Sequence, residues 1–223
     1  MGLRNRSRAP RTAGAAGFTL VEVVLVVALF GAVLGSVIAV LRSSTRACQV
    51  GSTSGHLEAL VNRTLDRIAE RLQASAHTTV TPSLSTPFSS PTIDFQRTTG
   101  YAGGVVAWSP AERIAFQYRP GELDNGVDDD RDGIVDDGQV VWTQDVGLAS
   151  QSSMPWADGV TEFLQGEVQN NLDDNRNGLV DERGLCFAVD AASAVVRLSL
   201  QARSANGVLV TKTIGKRVFF RNR

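Results

Sequence analysis

From Phe18 to Leu41 the chain is apolar except for Thr19, two glycines, Ser36 and a single acid, Glu22. At 1.5 Å per residue, these 24 residues form a helix of roughly 36 Å, longer than a hydrocarbon core of about 30 Å. A secretory signal would carry an apolar stretch of about 7–15 residues with small residues after it. Here the small residues, Ala13 to Gly17, come before the run. Residues Leu41–Gln49 are mixed, and Gly51-Ser52-Thr53-Ser54-Gly55 follows. Apolar residues then recur at Leu57, Leu60, Val61, Leu65, Ile68 and Leu72, spacings of three and four that define one face of an amphipathic helix. The pattern predicts one long helix, with a membrane-spanning half (18–41) and an amphipathic half (42–76). A kink or break is expected at 51–55, where two glycines each cost about 1 kcal/mol.

From residue 77 the period changes. Thr78 to Pro91 is rich in Thr, Ser and Pro and reads as a loop. Strand-like runs follow at Thr92–Gln96, Val105–Trp108, Arg113–Tyr118, Val140–Thr143 and Leu185–Val189. The strongest pair is Val195–Ala202 and Val208–Ile214 around Ser204-Ala205-Asn206-Gly207, because Asn-Gly is a hairpin turn signal. In its first arm Val196, Leu198 and Leu200 alternate with Arg197, Ser199 and Gln201, placing the two sets on opposite faces. A helix followed by antiparallel strands is an α+β domain, here a β-rich region over 77–223 on which the amphipathic half packs.

Charge sharpens the membrane reading. Residues 1–17 hold Arg4, Arg6, Arg8 and Arg11 and no acid, which places the N-terminus in the cytoplasm and the rest outside it. Removing those four from 22 basic residues leaves 18 against 23 acidic ones, near −5, so no basic face for nucleic acid is indicated. Outside the cytoplasm a disulfide between Cys48 and Cys186 is permitted, although spacing alone does not show that they meet.

A carboxylate inside a bilayer costs about 2.5–3.5 kcal/mol at the centre, less near an end. Glu22 can reach the headgroups from its position one turn in, or it can be matched by a partner. A cut after Gly17 would give Phe18 a free amine four positions before Glu22, and a neighbouring subunit's amine could neutralise the acid. The basic leader, Gly17, then Phe18-Thr19-Leu20-Val21-Glu22 and an apolar run resemble the type IV prepilin N-terminus shared by pilins, type II secretion pseudopilins and competence pseudopili. That resemblance implies cleavage after Gly17 by a prepilin peptidase, N-methylation of Phe18, a role for Glu22 in assembly with other pilin or pseudopilin subunits, and a pilin-like fold. It implies residence in a bacterial inner membrane, single-pass with a periplasmic domain, before entry into a filament. The ending Val218-Phe219-Phe220-Arg221-Asn222 is similar to that of minor pilins and pseudopilins of the J, I and W types.

Two acidic segments, ELDNGVDDDRDGIVDD (122–137) and EVQNNLDDNRNGLVDE (167–182), align without gaps at an offset of 45. In the first, carboxylates at Asp128, Asp130 and Asp132 occupy alternate positions, Gly133 permits a sharp turn, Ile134 offers a carbonyl, and Asp136 and Asp137 follow. The second offers Asp173, Asn175, Asn177, the Leu179 carbonyl, Asp181 and Glu182. Calcium takes 6–8 oxygens, and alternating side chains of a tight loop can converge on it. The segments resemble the short DxDxDG loops of extracellular calcium proteins and lack the glutamate that ends an EF-hand. Asp124, Asn125 and Asn170 are further oxygen donors. Six carboxylates within residues 128–137 repel one another unless a cation neutralises them. Counting charge, two Ca2+ sites are expected, at 122–138 and 167–184, the first the stronger. Solvated turns without metal are the alternative, since Asp, Asn and Gly are ordinary turn formers.

No nucleophile elbow or phosphate-cradling loop is found, because Gly51–Gly55 carries Thr53 at its centre. His56 and His77 sit near the ends of the amphipathic segment. A non-enzymatic structural subunit, a minor pilin or pseudopilin, is therefore expected. The alternative is a membrane-anchored, calcium-dependent binding or adhesion module that does not polymerise.

Overall fold

A computed structural model describes Gly17 and residues 19–221, so the expected leader (1–17) apart from Gly17, the expected new terminus Phe18, and Asn222 of the C-terminal ending lie outside the described residues. The chain divides into two compact units, one ending at Thr45 and the other starting at Arg46. One helix, α1 (Leu20–Gln73), contributes to both. Thr19 starts it as an N-cap: its hydroxyl accepts the Glu22 amide at 3.3 Å and its carbonyl accepts the same amide at 3.1 Å. In the first unit every described residue from Thr19 onward is solvent-exposed. This is a helix long and apolar enough to cross a membrane.

α1 is unbroken through Gly51–Gly55, which corrects the expected kink or break. The physical reason is that a break there would orphan four amides and four carbonyls, a larger penalty than two glycines impose. The Thr53 hydroxyl also bonds back to the Gln49 carbonyl at 3.0 Å. The helix ends at Gln73, where the Ser75 hydroxyl takes the Leu72 carbonyl at 2.7 Å.

Among the described residues of the second unit, nine strands follow: β1 (Thr92–Phe95), β2 (Thr98–Ala102), β3 (Val105–Trp108), β4 (Glu112–Tyr118), β5 (Gly138–Gln144), β6 (Ser152–Val160), β7 (Leu185–Val189), β8 (Ser193–Arg203) and β9 (Leu209–Phe219). Seven form one antiparallel sheet in the order β1-β4-β5-β6-β8-β7, with β9 on the other side of β8; β2 and β3 pair separately. The layout is α+β, as expected. Strand β6 escaped the sequence reading because Pro155 and exposed polar positions hide its alternation. The Asn206-Gly207 turn does join β8 to β9 in full register, Ser193 opposite Phe219 through Arg203 opposite Leu209.

The core lies between α1 and one face of the sheet. Leu57, Val61, Leu65, Ile68, Ala69 and Leu72 pack on Ile93, Phe95, Ile114, Phe187, Leu198 and Leu200. Each fully buried Leu, Ile or Phe side chain contributes about 1.5–3 kcal/mol. Glu112 is the charged member of this layer. Its side chain is 3% exposed, accepting from Trp142 Nε1 at 2.8 Å and Arg71 Nη1 at 3.4 Å through Oε2, and from Arg97 through Oε1. The opposite face of β7 and β8 carries a second small core of Leu164, Leu179, Cys186 and Ala188, with Val195 beside it. Ser199, on that face, is fully buried and accepts from the Thr213 hydroxyl at 2.9 Å.

That second core settles the cysteines. Along β7, Leu185 and Phe187 belong to the core under α1, whereas Cys186 and Ala188 belong to the opposite one, as alternation requires. Cys48 is exposed on α1. The two thiols point into different environments and both are free, so the permitted disulfide is not formed.

Candidate metal centres in two repeated loops

The acidic segments connect β4 to β5 and β6 to β7. Their backbones repeat as their sequences do. Left-handed φ values occur at Gly126 and Asn171 (75° and 62°), Arg131 and Arg176 (64° and 59°), Gly133 and Gly178 (93° and 88°), and Asp136 and Asp181 (47° and 50°). Glycine suits the third pair, where φ near 90° strains any side chain. Hydrogen bonds repeat too. The Asp130 and Asn175 amides donate to Glu122 and Glu167 Oε1 at 2.7 and 2.9 Å. The Gly133 and Gly178 amides donate to Asp128 and Asp173, both at 2.8 Å.

The expected ligands separate into groups. Asp128, Asp130 and Asp132 each bring an oxygen within 4.8 Å of the others. In the second loop the matching residues are Asp173, Asn175 and Asn177, and the Asn177 amide donates to Asp173 and Asn175 at 2.9 and 3.0 Å. Ile134 and Leu179 are buried anchors, 6% and 2% exposed. Asp136 and Asp181 instead close their loops, accepting the amides of Asn125 and Gly126 (3.3 and 2.8 Å) and of Asn170 and Asn171 (2.8 and 2.9 Å). Asp136 also stands with Asp124 and Glu162, beside Arg183, whose guanidinium lies 2.6 Å from Glu162.

Two residues absent from the sequence-based ligand set, Glu122 and Glu167, are buried among these carboxylates. Glu122 gathers with Asp130 and Asp137 within the same 4.8 Å limit. Its Oε2 and Asp137 Oδ1 are enclosed without a hydrogen-bond partner, as is Asp128 Oδ1. In the second loop Glu167 Oε2 and Glu182 Oε2 are in the same condition. All four carboxylates at the paired positions are at least nine-tenths buried: Glu122 5%, Asp137 0%, Glu167 6% and Glu182 0% exposed. The signal was the pairing of Glu122 with Glu167, overlooked because both precede the DxDxDG stretch.

Burial disfavours the charged form of these acids. It pushes Asp137 up to about 6, with Arg119 opposing and Asp132 and Asp130 adding to the rise. Burial also raises Glu167, against the Asn175 amide and together with the facing Glu182 carboxylate. Enclosed carboxylate oxygens without donors are what a hard, oxygen-seeking cation satisfies.

Glu22, the residue expected to serve assembly, lies in the first turn of α1, where its charge complements the helix dipole. Gly17 is exposed next to the undescribed Phe18. Cys186 is held inert: burial, then the nearby Glu182, pushes its thiol up to about 12. Comparison with family models, curated proteins and solved structures yields no match to this chain.

Proposed function

We propose that the chain is a structural subunit of a type IV pilin-like filament, a minor pilin or type II secretion pseudopilin, in which two cation-clamped loops stiffen the exported domain. The observation that carries this reading is the first part of α1. Its apolar side chains, Leu20 at 82% and Phe30 at 64% exposure among them, have no intramolecular cover among the described residues, and Glu22 is the one carboxylate among them. Such a surface needs lipid first and other subunits afterwards. An acid one turn into it is matched by a second chain's terminal amine once the leader is removed. On this reading a prepilin peptidase cuts after Gly17 and Phe18 is methylated. The domain faces the periplasm, and the chain leaves the inner membrane to join its partners.

Calcium fits the loops because their enclosed, unpartnered oxygens are all carboxylate, ligands a hard divalent cation takes. Glu122, Asp128, Asp130 and Asp137 would hold it in the first loop, and Glu167 and Glu182 in the second. The cation would supply charge neutralisation and would cross-link each loop to itself. No catalytic role is proposed: the buried Cys186 thiol is far from the thiolate state that a nucleophile requires.

Mass spectrometry of protein recovered from membranes tests the reading. A chain beginning at N-methylated Phe18 is expected, with Glu22→Ala inserted in the membrane but excluded from filaments. An intact Met1 start, or normal incorporation of Glu22→Ala, would leave instead a membrane-anchored, calcium-dependent binding module.

A further inference from the structure

The two loops share a backbone but differ in one interior residue. In the first, Arg119 enters the acidic group: its Nη1 lies 3.4 Å from Asp130 and 3.3 Å from Asp137, and it bonds to Asp132. Asp130 and Asp137 are two of the three carboxylates gathered around Glu122. The residue 45 positions on is Leu164, a member of the second core. The second loop thus has no arginine at that place. Its nearest guanidinium, Arg197, donates to the Asn177 carbonyl at 3.0 Å and stands 3.8 Å from Glu182 Oε1. Glu167 Oε2 and Glu182 Oε2 have no hydrogen-bond partner, and Arg197 reaches only the other oxygen of Glu182. Two facing, enclosed carboxylates with one distant counter-charge between them are costly unless more positive charge is supplied.

We propose that the second loop holds the tighter divalent-cation site, with Glu167 and Glu182 as its carboxylate ligands, and that Arg119 serves the first loop as a built-in cation. Counting carboxylates ranks the first loop ahead; the guanidinium reverses that order. A divalent ion entering among Glu122, Asp130 and Asp137 meets a positive charge 3.4 and 3.3 Å from two of them, whereas one entering between Glu167 and Glu182 meets only Arg197, 3.8 Å from Glu182 alone. The first loop keeps its shape at low calcium and the second does not. This inference rests on the cation reading proposed above.

Hydrogen–deuterium exchange on the full chain in detergent micelles, titrated with calcium chloride from a chelated start, reads each loop separately. Residues 167–182 are expected to gain protection at a calcium concentration roughly tenfold or more below that affecting 122–137, the weight of one charged neighbour. Glu182→Gln abolishes the response of 167–182 alone. Arg119→Leu, which copies the second loop's residue, brings the two transitions together. Coincident transitions in the wild type, or an earlier one in 122–137, overturn the assignment of Arg119 while leaving calcium binding intact. An absence of response in both loops overturns calcium binding itself. Because the wild-type titration alone ranks the loops, the result stands even where Arg119→Leu fails to fold.

Discussion

Replacing Glu112 with glutamine tests how firmly the helix is fastened to the sheet. The carboxylate is 3% exposed and joins α1 through Arg71, β4 through its own backbone and β5 through the Trp142 indole, with Arg97 on its other oxygen. The amide introduced by Glu112→Gln retains a single acceptor oxygen. It can keep the Trp142 bond at 2.8 Å only by turning its N–H groups toward Arg97, donor against donor. Breaking a buried ion pair by removing one member costs about 3–5 kcal/mol. Both arginines are about one-third exposed at 30% and 35%, so water recovers part of their loss and the lower end of that range applies. For a unit this size, each kcal/mol lowers the melting temperature by about 2–4 °C. The expected fall is therefore about 6–12 °C, measured by circular dichroism on the full chain in detergent at fixed calcium. The stacking of Arg71 over Trp142, 4.5 Å from the ring centroid, should loosen with it and shift tryptophan fluorescence. A melting temperature within 2 °C of wild type, where about 6 °C is expected, would show that the arginines and indole are satisfied without the charge, and the reasoning would fail.

Other outcomes follow from the same structure. Calcium should raise the melting temperature, by about 2.7 kcal/mol of added stability at a hundredfold excess over Kd. Asp130→Ala with Asp132→Ala should remove the first loop's share of that rise, and no change on adding chelator to the wild type would defeat the metal assignment. In chelator, the raised Asp137 contributes stability that is full below its ordinary value of 3.8 and lost as pH rises through about 6. The metal-free melting temperature should therefore fall between pH 4 and 7, and Asp137→Asn should flatten that slope. A thiol reagent at pH 8 should label exposed Cys48 at once and reach buried Cys186, pushed up to about 12, only on unfolding. Leu198→Ala, at a position that is 0% exposed, should cost about 2–5 kcal/mol in chemical denaturation.

The sequence carried the fold where one physical signal dominated. The three-and-four spacing of Leu57 to Leu72 marked the face that does pack on the sheet, and Asn206-Gly207 marked the hairpin that is present. Reading failed where two effects competed. Gly51 and Gly55 disfavour helix, but backbone hydrogen bonding on both sides overrides them. Alternation put Ser199 on the face opposite Leu198 and Leu200 without saying that a second core covers that face. At the acidic loops, the repeat and its central carboxylates were legible by spacing. The enclosure of Glu122 and Glu167 was not, since burial is set by strands remote in sequence. Nor was the entry of Arg119, which depends on where β4 ends.

Strand β9 pairs along its length with β8 alone, leaving its other rim free of strand partners among the described residues. Its lysines are turned to account there: Lys212 reaches Glu58 at 3.7 Å, and Lys216 pairs with Asp66, both on α1. An unguarded eleven-residue rim would invite any passing chain to extend the sheet, the usual seed of fibrous misassembly. Positive side chains tethered across to the helix make that intrusion unfavourable, so copies of the domain can be crowded at high local density without fusing to one another.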